Sequence, residues 1–150
     1  MKNFGFLRVA ACSPEVSPAD IDFNVDHICG TIEECIAENA DMIVFPELSV
    51  TGYTCADLFD QSLLIEKAYG ALREIAERFS NEQAVIVAGT PVRYGNRLFN
   101  CGAVIRSGEI LGFVPKSYIP NYGEFYEKRW FASGRDLKGE IKIDDTVIPI

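Results

Sequence analysis

The stretch Met42-Ile43-Val44-Phe45-Pro46-Glu47-Leu48-Ser49-Val50-Thr51-Gly52-Tyr53 constrains this chain more than any other. Four apolar residues run straight into a proline and then a lone carboxylate. A run that short and that apolar reads as a strand buried on both faces. Pro46 has no N–H to give to a ladder, so pairing is expected to stop there. Glu47 is thereby delivered to the end of a buried strand, where a carboxylate is costly unless it is paired or used. Ser49, Thr51 and Gly52 then turn the chain away. Two readings are open for Glu47: a cap on the following turn, or a member of a site.

The flanking segments set the fold class. Phe4 to Cys12 reads as a first strand, closed by Ser13-Pro14. From about Asp22 to Asn39, Val25, Ile28, Cys29, Ile32, Cys35 and Ile36 recur at helical spacing, with Glu33, Glu34 and Glu38 mostly off that face. Gly30 sits inside this helix at a cost of about 1 kcal/mol relative to Ala, which points to a close packing contact. A second helix runs from about Ser62 to Phe79 on the stripe Leu64, Ile65, Ala68, Leu72, Ile75, Ala76 and Phe79. Ala84 to Thr90 is another buried strand, and Tyr94 to Arg97 is turn material. Leu98 to Arg106 and Ile110 to Val114 are strands joined by Ser107-Gly108-Glu109, and Glu140 to Ile143 with Thr146 to Ile150 form a last hairpin. The order βαβαβ followed by hairpins predicts an α/β domain with helices over a mixed sheet. Neither G-x-G-x-x-G nor G-x-x-x-x-G-K-[ST] follows the first strand, so this is not a simple nucleotide-binding domain.

Composition removes several function classes. The length, 150 residues, suits one domain, and 48% hydrophobic with 24% charged residues is ordinary for a soluble globular protein. A net charge of −8 argues against general binding to nucleic acid or to an anionic membrane. No apolar run approaches the length of a membrane span, and the N-terminus lacks a long apolar signal region. Cys12, Cys29, Cys35, Cys55 and Cys101 are odd in number and contain no C-x-x-C pair. They read as small buried hydrophobes in a reducing cytoplasm, with no metal site. The one histidine, His27, falls in the first helix, which leaves little room for a histidine-based triad or metal centre.

After Val114 the character changes. Residues 115–131 carry six aromatics, both charge signs, two prolines and a glycine, the mixture of a site wall or of a structural lid. Lys116, like Glu47, follows a proline at the end of an apolar strand. If both strand ends face one side of the sheet, a carboxylate and an ammonium meet in one cleft and can serve as general base and oxyanion stabiliser. Spacing alone is equally consistent with a surface salt bridge.

At this point the chain resembles a known family. Phe45-Pro46-Glu47-Leu48-Ser49-Val50-Thr51-Gly52-Tyr53 resembles the first motif of the nitrilase, or carbon–nitrogen hydrolase, superfamily, and Pro115-Lys116 resembles its second. Tyr53 with Asp57-Leu58-Phe59, and the run from Pro120 to Phe131 with its Glu127-Lys128-Arg129-Trp130-Phe131, resemble more narrowly the glutaminase domains of glutamine-dependent NAD synthetases. The resemblance implies a four-layer α-β-β-α sandwich and a Glu-Lys-Cys mechanism. Glu47 matches the general base and Lys116 the oxyanion-supporting lysine. Glu127 matches a second glutamate that orients the lysine and substrate, while Tyr53, Tyr122 and Phe125 match positions that shape the glutamine pocket. It implies no cofactor in this domain, and an ATP- and Mg-using synthetase domain elsewhere that consumes the ammonia to amidate deamido-NAD.

One departure stands out. The family's nucleophilic cysteine follows a later strand, and none of the five cysteines lies in that context. Residues 1–150 are therefore expected to be the N-terminal portion of the domain, incomplete at the C-terminus and inactive alone. An open sheet edge would favour self-association into a homo-oligomer, or low stability. Two other readings stay open: part of a stand-alone amidase of the same superfamily, and a non-catalytic α/β interaction module.

Overall fold

The computed structural model describes residues 5–150. Phe4, where the first strand was expected to begin, lies outside them, and β1 is the shorter Val9–Ala11. Helix α1 spans Ile21–Ala37 and starts where the Asp20 carboxylate accepts the Phe23 N–H at 3.2 Å, satisfying one orphan donor of the first turn. Strand β2 is Met42–Val44, α2 is Ser62–Arg78, β3 is Val85–Tyr94, β4 is Arg97–Arg106 and β5 is Glu109–Pro115. Two short 3₁₀ turns, Ala56–Asp60 and Glu127–Arg129, lie in the connections, and β6 (Glu140–Ile143) pairs with β7 (Thr146–Pro149).

The five strands lie in sequence order, β1-β2-β3-β4-β5, parallel through β3 and antiparallel from there on. Both helical crossovers step across the sheet in the same direction. Right-handed crossovers then put α1 and α2 on the same face, and α2 packs against β3, β4 and β5 while α1 packs against α2.

Register shows what each face carries, because partners across a ladder share a face. Ile43, Ile86 and Ile105 align, as do Ala88, Ala103 and Phe113, and all six are buried under the helices. The opposite face is lined by Ala11, Val44, Val87, Val104 and Gly112 in one row and Gly89, Gly102 and Val114 in the next. Val9 is 57% exposed there and Val114 63%. The chain thus supplies one helix layer and one sheet layer of an α-β-β-α sandwich. What lies open is an apolar face rather than only the edge that the sequence led us to expect.

Two further expectations need correcting. Gly30 is not a packing glycine, since a Cβ added there would meet nothing within 4 Å. Strand β3 does not end at Thr90; it passes through Pro91 to Tyr94. Asn100, opposite Pro91, points its carbonyl at Lys116 in the other direction. The missing proline N–H therefore removes no bond between β3 and β4.

Candidate functional site

The site begins with a backbone crossing. β2 pairs through Phe45, whose N–H donates to Val87 O at 2.9 Å, and pairing ends at Pro46 as expected. The chain then passes directly over Gly89 of β3. A Cβ on Gly89 would stand 2.2 Å from Pro46 O and 2.4 Å from Leu48 N, so only glycine leaves room. Leu48 takes a left-handed conformation, φ 53°, which costs a non-glycine residue about 1 kcal/mol or more. Hydrogen bonds hold the bend in place. Gly89 N–H donates to Ser49 Oγ at 3.2 Å, Val50 N–H donates to Gly89 O at 3.0 Å, and the buried Asn24 carboxamide donates to Val50 O at 3.1 Å.

Glu47 and Lys116 meet at this bend, as their matching positions after strand-ending prolines suggested. β2 and β5 both run toward this end of the sheet, and residues just past them project over the open face. Lys116 Nζ lies 2.8 Å from the Glu47 carboxylate and 3.2 Å from both oxygens of Glu127. Glu127 is 3% exposed, whereas Glu47 is half exposed. Tyr53 donates its hydroxyl to Glu127 Oε1 at 2.6 Å. A buried carboxylate thus receives three hydrogen bonds from two partners, which offsets its desolvation. Burial pulls the Lys116 amine down, but the hydrogen bonds and charges of Glu47 and Glu127 outweigh it, and the net shift is upward. Lys116 is therefore a cation and donor at neutral pH rather than a base. Burial first, and then the bond to Glu127, pushes the Tyr53 phenol up as well.

Tyr122 and Phe125 stand apart. Their rings pack edge to face with centroids 6.1 Å apart, both remain exposed, and neither belongs to the hydrogen-bonded cluster among the described residues. The loop that carries them is tied down elsewhere. Asp57 accepts from Arg129 Nε and Nη2 at 2.8 and 3.0 Å and from Trp130 Nε1 at 3.0 Å. This clasp joins the Ala56–Asp60 turn to the Glu127–Arg129 turn, and so fixes Tyr53 and Glu127 relative to each other. The three donors hold the Asp57 carboxyl down at about 2, with Arg129 the largest cause.

Two residues of the site escaped sequence reasoning. Gly89 is one, and Asn100 is the other. Asn100 donates from Nδ2 to Glu47 Oε2 at 3.2 Å, and its main-chain carbonyl accepts the Lys116 N–H at 2.8 Å. The available signal was a lone carboxamide in the apolar strand Leu98–Arg106. Together Glu47, Gly89, Asn100, Val114 and Lys116 border a recess of about 190 Å³. A larger hollow of about 570 Å³ lies between α2 and the β6–β7 hairpin, with the exposed Arg73–Asp144 ion pair at its wall.

Burial holds Cys12, Cys29, Cys55 and Cys101 in the unreactive thiol form. Burial raises the thiols of Cys12 and Cys29 to about 11 and that of Cys101 to about 12, and raises Cys55 as well. Cys101 follows Asn100 in β4 and so faces the helices, away from Glu47 and Lys116. Cys55 donates its thiol to Thr51 O at 3.0 Å. His27 stacks on Phe23 on the outside of α1, with ring centroids 4.0 Å apart. Among the described residues no group of three or more His, Cys, Asp or Glu side chains is arranged to hold a metal ion, and no helix is long and apolar enough to cross a membrane.

Comparison with known proteins adds three likenesses and a family. Residues 8–148 match the carbon-nitrogen hydrolase family model. The chain is 38% identical over 145 residues to the glutamine-dependent NAD(+) synthetase of Mycobacterium leprae, covering 97% of this chain and 21% of that protein. The crystal structure of a glutamine-dependent NAD(+) synthetase from Cytophaga hutchinsonii superposes with a TM-score of 0.89 at 31% identity, over 95% of this chain and 24% of that one. An amidase from Nesterenkonia sp. shares the fold, with a TM-score of 0.72 at 21% identity over 95% of this chain and 54% of that one. The chain therefore spans about a fifth to a quarter of the length of the synthetases it matches.

Proposed function

Because the chain belongs to the carbon–nitrogen hydrolase family, we propose that residues 1–150 are the N-terminal portion of a glutamine-hydrolysing domain. Its ammonia serves the ATP-dependent amidation of deamido-NAD in a longer protein. The single observation that carries this reading is the Lys116 ammonium held between Glu47 and Glu127 at the ends of two strands. A half-exposed carboxylate beside a fixed cation can take a proton and leave the cation free to meet developing negative charge.

In the proposed reaction a cysteine thiol gives its proton to Glu47 as its sulfur bonds to the amide carbon of glutamine. The carbonyl oxygen receives the displaced electron pair and lies against Lys116. Collapse breaks the carbon–nitrogen bond, Glu47 returns the proton to nitrogen, and ammonia departs from a glutamyl thioester. Water, deprotonated by Glu47, then releases glutamate and restores the thiol. Glu127 keeps Lys116 in place, Tyr53 steadies Glu127, and Tyr122 and Phe125 line the approach for glutamine. The thiol is supplied by residues outside these 150, because none of the five cysteines lies in the context of the family's nucleophile and the one nearest Glu47 in sequence, Cys55, is buried and donates to Thr51 O. ATP and Mg belong to the amidating part of the longer protein. Self-association would cover the bare sheet face, and a reducing cytoplasm suits an odd set of unpaired cysteines.

The test uses the full-length protein. Glu47→Gln should lower glutamine-dependent NAD formation by about 10²- to 10⁴-fold, while NAD formation fed with ammonium salts persists. Undiminished glutamine turnover in that variant would overturn the reading.

A further inference from the structure

Asn100 is an anomaly in its strand. It sits inside β4 between Phe99 and Cys101, it is 2% exposed, and a carboxamide there must find partners or be penalised. Strand alternation puts it on the same face as Gly102 and the bend over Gly89. Its side chain spends a donor on Glu47 Oε2 at 3.2 Å. Its main-chain carbonyl takes the N–H of Lys116 at 2.8 Å, which fixes where the lysine leaves β5.

We propose that Asn100 is the positioning residue of this site, setting the Glu47 carboxylate and the Lys116 ammonium against each other from one rigid strand. Glu47 and Lys116 sit on irregular chain just past their strands, whereas Asn100 is anchored in a ladder on both sides. Its amide is a second tether, beside Lys116, that holds the half-exposed Glu47 carboxylate against the sheet and out of solvent. Aspartate would have the same shape and would place a second negative charge against Glu47. Asparagine is the side chain of that size that donates.

The proposal rests on the role given to Glu47 above, and its test separates the two. In the full-length protein, labelled with ¹⁵N at asparagine, NMR reads the Asn100 side-chain amide directly. Glu47→Gln removes the charged acceptor and should shift that amide pair, while an exposed control such as Glu124→Gln should not. In the full-length protein, Asn100→Ala should lower kcat for glutamine by about 10²-fold with KM within about threefold, as misplacement of a reacting group does. Asn100→Asp keeps the packing volume and should lose at least as much. In the Glu47→Gln background, Asn100→Ala should cost nothing further, a non-additivity that a purely structural role would not produce. If Glu47→Gln abolishes glutamine turnover and Asn100→Ala leaves kcat intact, the positioning role is wrong and the reading of the site stands. If glutamine turnover survives Glu47→Gln, both fall together, even where the NMR contact is seen.

Discussion

The two faces of the five-stranded sheet divide the work of the molecule unequally. Under α1 and α2, Ile43, Ile86, Ala103, Ile105 and Phe113 are sealed from water and carry no polar chemistry. On the other face Val9 and Val114 stand in solvent, and at one end of it lie Glu47, Asn100, Lys116 and Glu127. Stability is concentrated where nothing reacts, and the candidate chemistry sits where little apolar surface is yet buried. That arrangement suits a site completed by a further layer, because the groups can be preorganised before they are enclosed. It also makes mutational cost depend on face rather than on residue type.

Substitutions can break or sharpen this contrast. The largest loss is expected from Ile86→Ala on the helix face, about 2–5 kcal/mol in a denaturant melt, since the cavity cannot collapse between sheet and helices. Gly89→Ala comes next and breaks the simple rule, being on the open face. Its Cβ would press on the Pro46–Leu48 backbone, at a cost of about 1–3 kcal/mol, and the Asn100 amide resonance should move as Glu47 is displaced. Gly30→Ala should stabilise by about 0.5–1 kcal/mol, because the helix gains propensity and the methyl meets nothing. Val114→Ala should cost less than about 0.5 kcal/mol in this chain; a loss as large as that of Ile86→Ala would mean the open face is already covered in solution.

The smallest effect is a titration. Trp130 is the one tryptophan in the chain, and it donates to Asp57. Asp57 has a lowered pKa, so its contribution is present above the ordinary carboxylate range, near pH 4, and is lost as pH falls toward about 2. Trp130 fluorescence should therefore change near pH 2, and Asp57→Asn should abolish that step. Lys116 has the opposite sign. Its raised pKa contributes stability below the ordinary lysine range, near 10.4, and loses it as pH climbs beyond.

Much of this was legible in the sequence, and the reason is local. Helices α1 and α2 follow from apolar spacing within one segment, and Glu47 and Lys116 stand out because each follows a proline that ends a strand. Gly89 and Asn100 were invisible because their meaning comes from register: what crosses above a glycine or faces an asparagine depends on strands far away in sequence. The continuation of β3 past Thr90 was invisible for the same reason, since whether a strand can run through Pro91 depends on which way the neighbouring amides point. Gly30 has two possible histories, packing or tolerance, and only the space around it decides between them. The Asp57 clasp needed Arg129 and Trp130 to be brought across from 72 and 73 residues away.

The spacing of the site along the chain has a consequence for assembly. Neighbouring strands in the sheet are neighbours in sequence, so the ladder can zip from β1 to β5 with modest loop closure at each step. Glu47, however, waits 53 residues for Asn100 and 69 for Lys116, and Lys116 a further 11 for Glu127. During synthesis, at about 5–20 residues per second, the general-base candidate would spend several seconds outside the ribosome as an ordinary hydrated carboxylate. The cluster around Lys116 is therefore a late acquisition of this segment, closed only when the loop that carries Glu127 arrives.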